Sequence, residues 1–141
     1  MSGAIRFAGY AAIFDRVDRG GDIVRRGAFA RAVAEGPARL PLLWQHEAGT
    51  PIGRIESLAE DARGLRVIGR LTPNSRAGRE AAALLAEGAI GGLSFGYRVR
   101  DATHGTNREL NDLDLIEVSL VTFPMQPAAR VHAVRAEPAA A

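Results

Sequence analysis

The sequence predicts a mainly β protein with flanking helices, an α+β fold built on an antiparallel, partly closed sheet. Short strand-like stretches with alternating apolar residues outnumber the helical ones. Turns rather than crossover helices connect most of these stretches, and the 141 residues suit one domain. A Rossmann or P-loop fold is disfavoured, because the glycine cluster at 88–96 follows a predicted helix instead of opening one.

The first third of the chain contains two predicted strands and one short helix. Residues 5–14 alternate apolar and small side chains, which favours a half-buried strand, and 15–22 form a turn-rich loop. Apolar residues four apart predict a helix over 27–35. The apolar run 39–44 predicts a buried strand, and the polar tripeptide 45–47 forms its tip.

A β-hairpin and the better-defined helix follow. Residues 52–59 and 65–71 are strand-like, and Gly64 between them can take a positive φ. Strong helix formers over 79–87 predict a helix capped by one of the polar residues at 74–75.

The last third of the chain is predicted to be β structure followed by a tail. Strand patterns cover 90–100 and 113–123, separated by a polar loop at 101–107. Alanine and proline dominate the C-terminus, so we expect one domain over 1–134 and a flexible tail at 135–141.

Composition excludes several classes of protein. The net charge of the chain is only +2, and all of its basic residues are arginines scattered among acidic residues. This distribution does not favour nucleic-acid binding. The chain has no cysteine, so disulfides, thiolate metal sites and a cysteine nucleophile are excluded. No apolar run is long enough to span a membrane, and no export pattern opens the chain, so a cytoplasmic location is expected.

Three residues are candidates for chemistry. His46 follows a buried strand and could project an imidazole into a cleft; a surface histidine at a strand end is the alternative. Ser94 lies in a G-x-S-x-G pattern, but the context of a hydrolase nucleophile elbow is missing, so a plain serine in a glycine-rich strand remains open. Glu117 lies in the most apolar strand on the face of Leu113 and Phe123, where a carboxylate needs a partner.

An imidazole is one partner for Glu117, and one of the arginines is the other. The histidines and acids lack metal-ligand spacing, and no cofactor motif occurs, so we expect neither a metal nor a cofactor.

Five ordered blocks resemble one family: FAGYAAIFD, LLWQHE, PIGRI, GGLSFGY and LIEVSLVTFPMQPAA. The chain resembles the prohead proteases, serine peptidases of capsid maturation in tailed phages and gene transfer agents, which are related in fold to the herpesvirus assemblins. This resemblance implies a serine endopeptidase on an orthogonally packed, herpesvirus-protease-like β-barrel. It implies Ser94 as nucleophile, His46 as general base and Glu117 as third member, with His132 the alternative third member; the oxyanion site stays unassigned.

The resemblance also implies a biological setting. The expected substrate is the major capsid protein, processed with other procapsid components inside the immature capsid in the bacterial host cytoplasm. We also expect this chain to cleave its own C-terminal tail, and to form a homodimer like that of the assemblins. A catalytically silent scaffolding protein with the same fold is the main alternative, and a nucleic-acid-binding barrel ranks behind it because aromatic residues are scarce.

Overall fold

Residues 4–137, which the computed structural model describes, form eight strands and two helices. The strands are β1 Ile5–Ile13, β2 Asp22–Val24, β3 Pro41–Trp44, β4 Glu47–Glu60, β5 Gly64–Leu71, β6 Gly92–His104, β7 Arg108–Val121 and β8 Val131–Ala136; the helices are α1 Ala30–Glu35 and α2 Arg76–Ala86. The predicted mainly β class is confirmed. Neither helix in this part of the chain has the length and apolar character needed to span a membrane.

All eight strands belong to one sheet, and β7 has neighbours along both of its edges. On one edge it pairs with β6 in an antiparallel ladder; on the other it pairs in parallel with β2 near its start and with β3 near its end. The remaining pairings are antiparallel, as the sequence predicts. The sheet does not close, although an isolated bridge between Gly92 and Arg130 links β6 to the chain before β8, so the word barrel applies only loosely.

One apolar cluster holds the strands and helices together. Burying a large apolar side chain contributes about 1.5–3 kcal/mol. Leu42 of β3, Leu93 of β6 and Leu120 of β7 are fully buried, so each strand that carries or adjoins a candidate residue is anchored in this core. The largest fully buried side chains are Phe7, Phe29, Leu42, Ile52, Leu65, Leu71, Leu93, Leu110, Leu113, Leu120, Val24 and Val67.

Both predicted helices are present, but each begins three residues away from its predicted start. Helix α2 begins after Ser75, whose Oγ accepts a hydrogen bond from the backbone N–H of Gly78 at 3.0 Å. Helix α1 is shorter than the predicted 27–35, because the residues before it form a turn. The backbone N–H groups of Gly27 and Phe29 donate to the Glu60 carboxylate, both at 2.8 Å, and this fixes the turn outside the helix.

The predicted hairpin of β4 and β5 is present, but its glycine acts differently from the expectation. Asp61 Oδ1 accepts hydrogen bonds from the backbone N–H groups of Arg63 and Gly64 at 2.8 and 3.1 Å. Gly64 is not among the residues with positive φ. A side chain there would collide with the carbonyl oxygen of Ala12 on the paired strand β1, so the glycine serves close strand approach.

Two predicted boundaries in the last third of the chain are wrong. The loop expected at 101–107 is restricted to 105–107, because β6 continues to His104 and pairs with the start of β7. Residues at this end of the hairpin are largely exposed, so polar side chains are compatible with strand structure there. Strand β7 ends at Val121, and Phe123, expected on the buried face, is 79% exposed.

The C-terminal strand extends beyond the domain boundary expected from the sequence. Arg135 and Ala136 belong to β8 and pair with Arg6 and Ile5 of β1. The backbone N–H of Glu137 donates to the carbonyl oxygen of Ala4 at 2.8 Å. The remainder of the expected tail, 138–141, lies outside the described residues.

Candidate active site

His46 lies on a tight, strained turn at the end of β3. Gln45 and His46 have φ angles of 50° and 62°, in the left-handed region, which costs a non-glycine residue roughly 1–2 kcal/mol. Backbone contacts to β7 hold the turn: the Gln45 N–H donates to the Leu120 carbonyl oxygen, and the His46 N–H donates to Ser119 Oγ, each at 3.0 Å. The buried strand with a polar tip, predicted from the sequence, is therefore present, and the tip is rigid.

The structure brings His46 and Glu117 into direct contact. His46 Nδ1 lies 2.7 Å from Glu117 Oε1 and 3.1 Å from Oε2. Glu117 is 7% exposed, so its carboxylate requires partners. Within residues 4–137 its ion-pair partner is His46 and not an arginine, so of the two partners weighed from the sequence the structure has the imidazole.

Ser119 connects the acid to the turn that carries the imidazole. Its hydroxyl donates to Glu117 Oε2 at 2.9 Å and accepts the backbone N–H of His46 at 3.0 Å. The residue is fully buried. Sequence analysis missed Ser119, although the alternation of β7 places it on the same face as Glu117, two residues away.

The carboxylate determines the electrostatics of the imidazole. The hydrogen bond to Glu117 raises the pKa of His46 above its ordinary value, and the negative charge adds to the effect while partial burial opposes it. A proton on Nδ1, donated to the carboxylate, leaves the lone pair of Nε2 free. Since 45% of the His46 side chain is exposed, the ring is accessible from solvent.

Ser94 lies on β6, on the same face of the sheet as Glu117 and Ser119. In the β6–β7 ladder Ser94 is directly opposite Ser119, and Gly96 is opposite Glu117. Side chains of directly opposed residues point to the same face, with Cβ atoms about 4.5–5.5 Å apart. Ser94 is 7% exposed and makes no hydrogen bond to His46 among the described residues; catalytic hydrogen bonds often tighten only when substrate binds.

Gly96 provides space for the acid. A Cβ at this position would lie 3.0 Å from Glu117 Cγ and 3.1 Å from Cδ, tighter than ordinary packing. The glycine-rich block around Ser94 therefore allows the carboxylate to lie against the backbone of β6.

The other two histidines lie on β8 and at the end of β6, and Arg130 bridges to Gly92 of β6. His132 is on β8, exposed, with its ring 5.8 Å from that of Tyr10. His104 is the last residue of β6, and it is exposed. The Nε of Arg130 donates to the carbonyl oxygen of Pro127 at 2.9 Å. Within residues 4–137, no three histidine, aspartate or glutamate side chains cluster in a way that could hold a metal ion.

Solved structures with the same fold are viral proteases. KSHV protease in complex with a hexapeptide phosphonate inhibitor matches with a TM-score of 0.63 and 15% identity, over 94% of this chain and 65% of that one. The bacteriophage T4 capsid assembly protease gp21 matches with a TM-score of 0.69 and 17% identity, over 84% and 82% of the two chains. The fold is thus that of the herpesvirus and phage capsid assembly proteases.

Sequence comparison gives the family. The model described as Caudovirus prohead serine protease matches residues 2–140, and the chain belongs to this family. The prohead protease of Enterobacteria phage HK97 is 33% identical over 134 residues, which cover 92% of this chain. The chain spans 60% of the length of that relative. The resemblance noted in the sequence is confirmed.

Proposed function

We propose that this protein is a serine endopeptidase that cleaves the major capsid protein during maturation of the prohead. The observation that carries the proposal is the buried Glu117 carboxylate, 2.7 Å from His46 Nδ1, on the face of the sheet that also presents Ser94. A structural ion pair needs neither a serine on the adjacent strand nor a strained turn to aim the imidazole. A carboxylate that holds an imidazole, with a serine on the same face of the sheet, supports a role in acyl transfer.

In the proposed mechanism, His46 Nε2 takes the proton of the Ser94 hydroxyl as its oxygen attacks the carbonyl carbon of the scissile peptide bond. The resulting imidazolium is stabilised by Glu117, which accepts the Nδ1 proton in a hydrogen bond throughout. The imidazolium then protonates the leaving amine as the C–N bond breaks. A water molecule, deprotonated by the same Nε2, attacks the acyl-enzyme carbonyl carbon; the imidazolium then returns the proton to Ser94 Oγ as the ester bond breaks and the acid product leaves.

The family and its relatives suggest the substrate and the location. The HK97 relative is named a prohead protease, and the T4 neighbour is named a capsid assembly protease. By analogy, we assign the major capsid protein as substrate, other procapsid components as partners, and the interior of the prohead in the host cell as the place of action. Processing of the chain's own C-terminus belongs to the same proposal.

Co-expression with the major capsid protein of the same genome tests the function. Wild type, Ser94→Ala and the matched control Ser57→Ala, a serine on β4, are compared by the intact mass of the capsid protein. We expect an N-terminal segment to be removed by wild type and by Ser57→Ala but not by Ser94→Ala. An uncut capsid protein in normal shells with all three variants would contradict the proposal and favour a scaffolding role.

A further inference from the structure

The segment that follows β7, residues 122–126, exposes large apolar side chains although it is firmly held. Phe123 is 79% exposed and Met125 is 50% exposed. Pro124, which lies between them, and Gln126, which follows them, are buried. We refer to residues 122–126 as the apolar segment. Its two exposed side chains are the feature that the fold leaves unexplained.

The start of the apolar segment is hydrogen-bonded to the turn that contains His46, the candidate general base. Thr122 Oγ1 accepts a hydrogen bond from Gln45 Nε2 at 2.6 Å, and the Thr122 N–H donates to Gln45 Oε1 at 3.1 Å. Gln45 directly precedes His46. This two-point amide contact places the backbone at Phe123 beside the imidazole turn.

The end of the apolar segment is fixed just as firmly. Gln126 Oε1 accepts the backbone N–H of Ile13 at 2.7 Å, and Gln126 Nε2 donates to the Ile13 carbonyl oxygen at 2.9 Å. Gln126 is 5% exposed. The Arg19 N–H also donates to the carbonyl oxygen of Met125 at 3.1 Å. The exposure of Phe123 is therefore not the result of a loose loop.

The middle of the apolar segment touches the strand of the candidate nucleophile. A Cβ at Gly92 would lie 2.8 Å from Pro124 Cδ, so the proline ring packs on the backbone two residues before Ser94. Phe123 lies between Thr122, bonded beside His46, and Pro124, packed beside the Ser94 strand. The backbone at Phe123 thus lies between the elements that carry His46 and Ser94, and its ring is exposed to solvent.

We propose that Phe123, with Met125, forms a docking surface for an apolar side chain of the polypeptide substrate next to the scissile bond; this inference rests on the proposed function. Covering the ring removes apolar surface from water and favours a substrate with a matching side chain. The hydrogen bonds that hold the segment mean that little backbone entropy is lost on binding.

The size of the surface favours a peptide side chain over a second copy of the chain. A phenylalanine side chain buries at most about 150–250 Å². A stable protein interface needs about 800 Å² on each partner. Two exposed side chains suit one or two residues of an extended peptide.

The test uses three covalent probes of Ser94, followed by the mass of the labelled protein. Diisopropyl fluorophosphate carries no peptide side chains and reports the nucleophile alone. Two tripeptide phosphonates with the same residue at the reacting position carry either two leucines or two serines before it. The variant is Phe123→Ser, and the control is Val134→Ser on β8, where the exposed valine is remote from His46 and Glu117 in the strand order.

We expect wild type and Val134→Ser to react with the leucine probe about ten-fold faster than with the serine probe, as burial of an apolar side chain predicts. In Phe123→Ser this preference should fall close to one, while labelling by diisopropyl fluorophosphate stays unchanged. An undiminished preference in Phe123→Ser would overturn the inference but leave the proposed function intact.

Two further outcomes would also overturn it. If no probe labels Ser94 in wild type, the proposed function fails, and the docking surface fails with it. If sedimentation velocity shows that wild type is a dimer and Phe123→Ser a monomer, a second copy of the chain occupies the surface instead of substrate.

Discussion

At the scale of single residues, the site depends on how one buried carboxylate is satisfied. Glu117 accepts from the His46 ring and from the Ser119 hydroxyl, and that hydroxyl also receives the backbone N–H of His46. Each group therefore has a partner, which a buried charge requires. The same contacts fix the orientation of the ring and its protonated nitrogen.

Replacing Glu117 with glutamine tests the charge at nearly constant shape. The amide oxygen can still accept from Nδ1, but the imidazolium of the proposed mechanism loses its counter-charge. We expect the rate of Ser94 labelling by diisopropyl fluorophosphate to fall by about 10³- to 10⁴-fold. Glu109→Gln, which removes a partly exposed partner of Arg25, is the matched control and should label like wild type.

The same pair predicts a pH dependence of stability. Because Glu117 raises the pKa of His46 above 6.5 in the folded chain, the pair stabilises the fold fully below that value. The contribution decreases as pH rises through the higher folded pKa. The difference in free energy of unfolding between wild type and Glu117→Gln should therefore shrink with rising pH. Urea denaturation of both proteins from about pH 5 to pH 9 measures this difference. A difference that grows with pH would contradict the raised pKa of His46.

Sequence reasoning located Glu117 because an acid in an apolar strand needs a partner, and it located His46 because a polar tip follows a buried strand. It missed Ser119, since a serine in a strand shows no such conflict: its hydroxyl can be satisfied locally. The partner of Glu117 stayed open because local patterns do not report which distant segments meet.

At the scale of elements, the β6–β7 hairpin positions the site. Its register places Ser94 opposite Ser119 and Gly96 opposite Glu117, while β3 delivers His46 to the other edge of β7. Alternation in the sequence predicted these strands. It could not predict the parallel pairing of β3 with β7, because pairing between remote strands leaves no local pattern.

Gly96→Ala tests the fit of the hairpin around the acid. The new methyl group would meet Glu117 Cγ at 3.0 Å and push the carboxylate from the imidazole. We expect roughly ten-fold slower labelling of Ser94, the equivalent of about 1.4 kcal/mol. The control is Gly105→Ala, in the turn of the same hairpin, where the new Cβ would lie 3.9 Å from the carbonyl oxygen of Asn107. This variant should label at the wild-type rate. Equal rates for both variants would show that the carboxylate has room to spare.

At the scale of the whole molecule, the sheet is completed by its last strand. β8 covers the edge of β1, and the chain before it bridges to β6 through Arg130 and Gly92. Glu137 pairs with Arg6 at 3.0 Å and with Arg70 at 3.4 Å, joining the end of the described chain to β1 and β5. Composition placed this segment in a tail, because alanine-rich ends carry a weak strand signal.

Truncation distinguishes the two domain boundaries. A chain ending at residue 137 keeps every contact described above, whereas one ending at 134 loses two strand pairs and the Glu137 ion pairs. We expect the shorter chain to unfold several degrees lower, since about 1 kcal/mol shifts Tm by roughly 2–8 °C in domains of this range. Equal melting temperatures in a thermal scan would support the boundary at 134 instead.

The pairing of β3 with β7 also bears on when the protein can become an active protease. His46 and Glu117 are 71 residues apart along the chain and meet only after β3 has paired with β7. Bringing together segments so far apart has a loop-closure entropy cost, which must be met before the contact can form. On the proposed function, a chain in which β3 has not yet paired with β7 lacks the contact between imidazole and carboxylate and is inert toward the shell proteins around it.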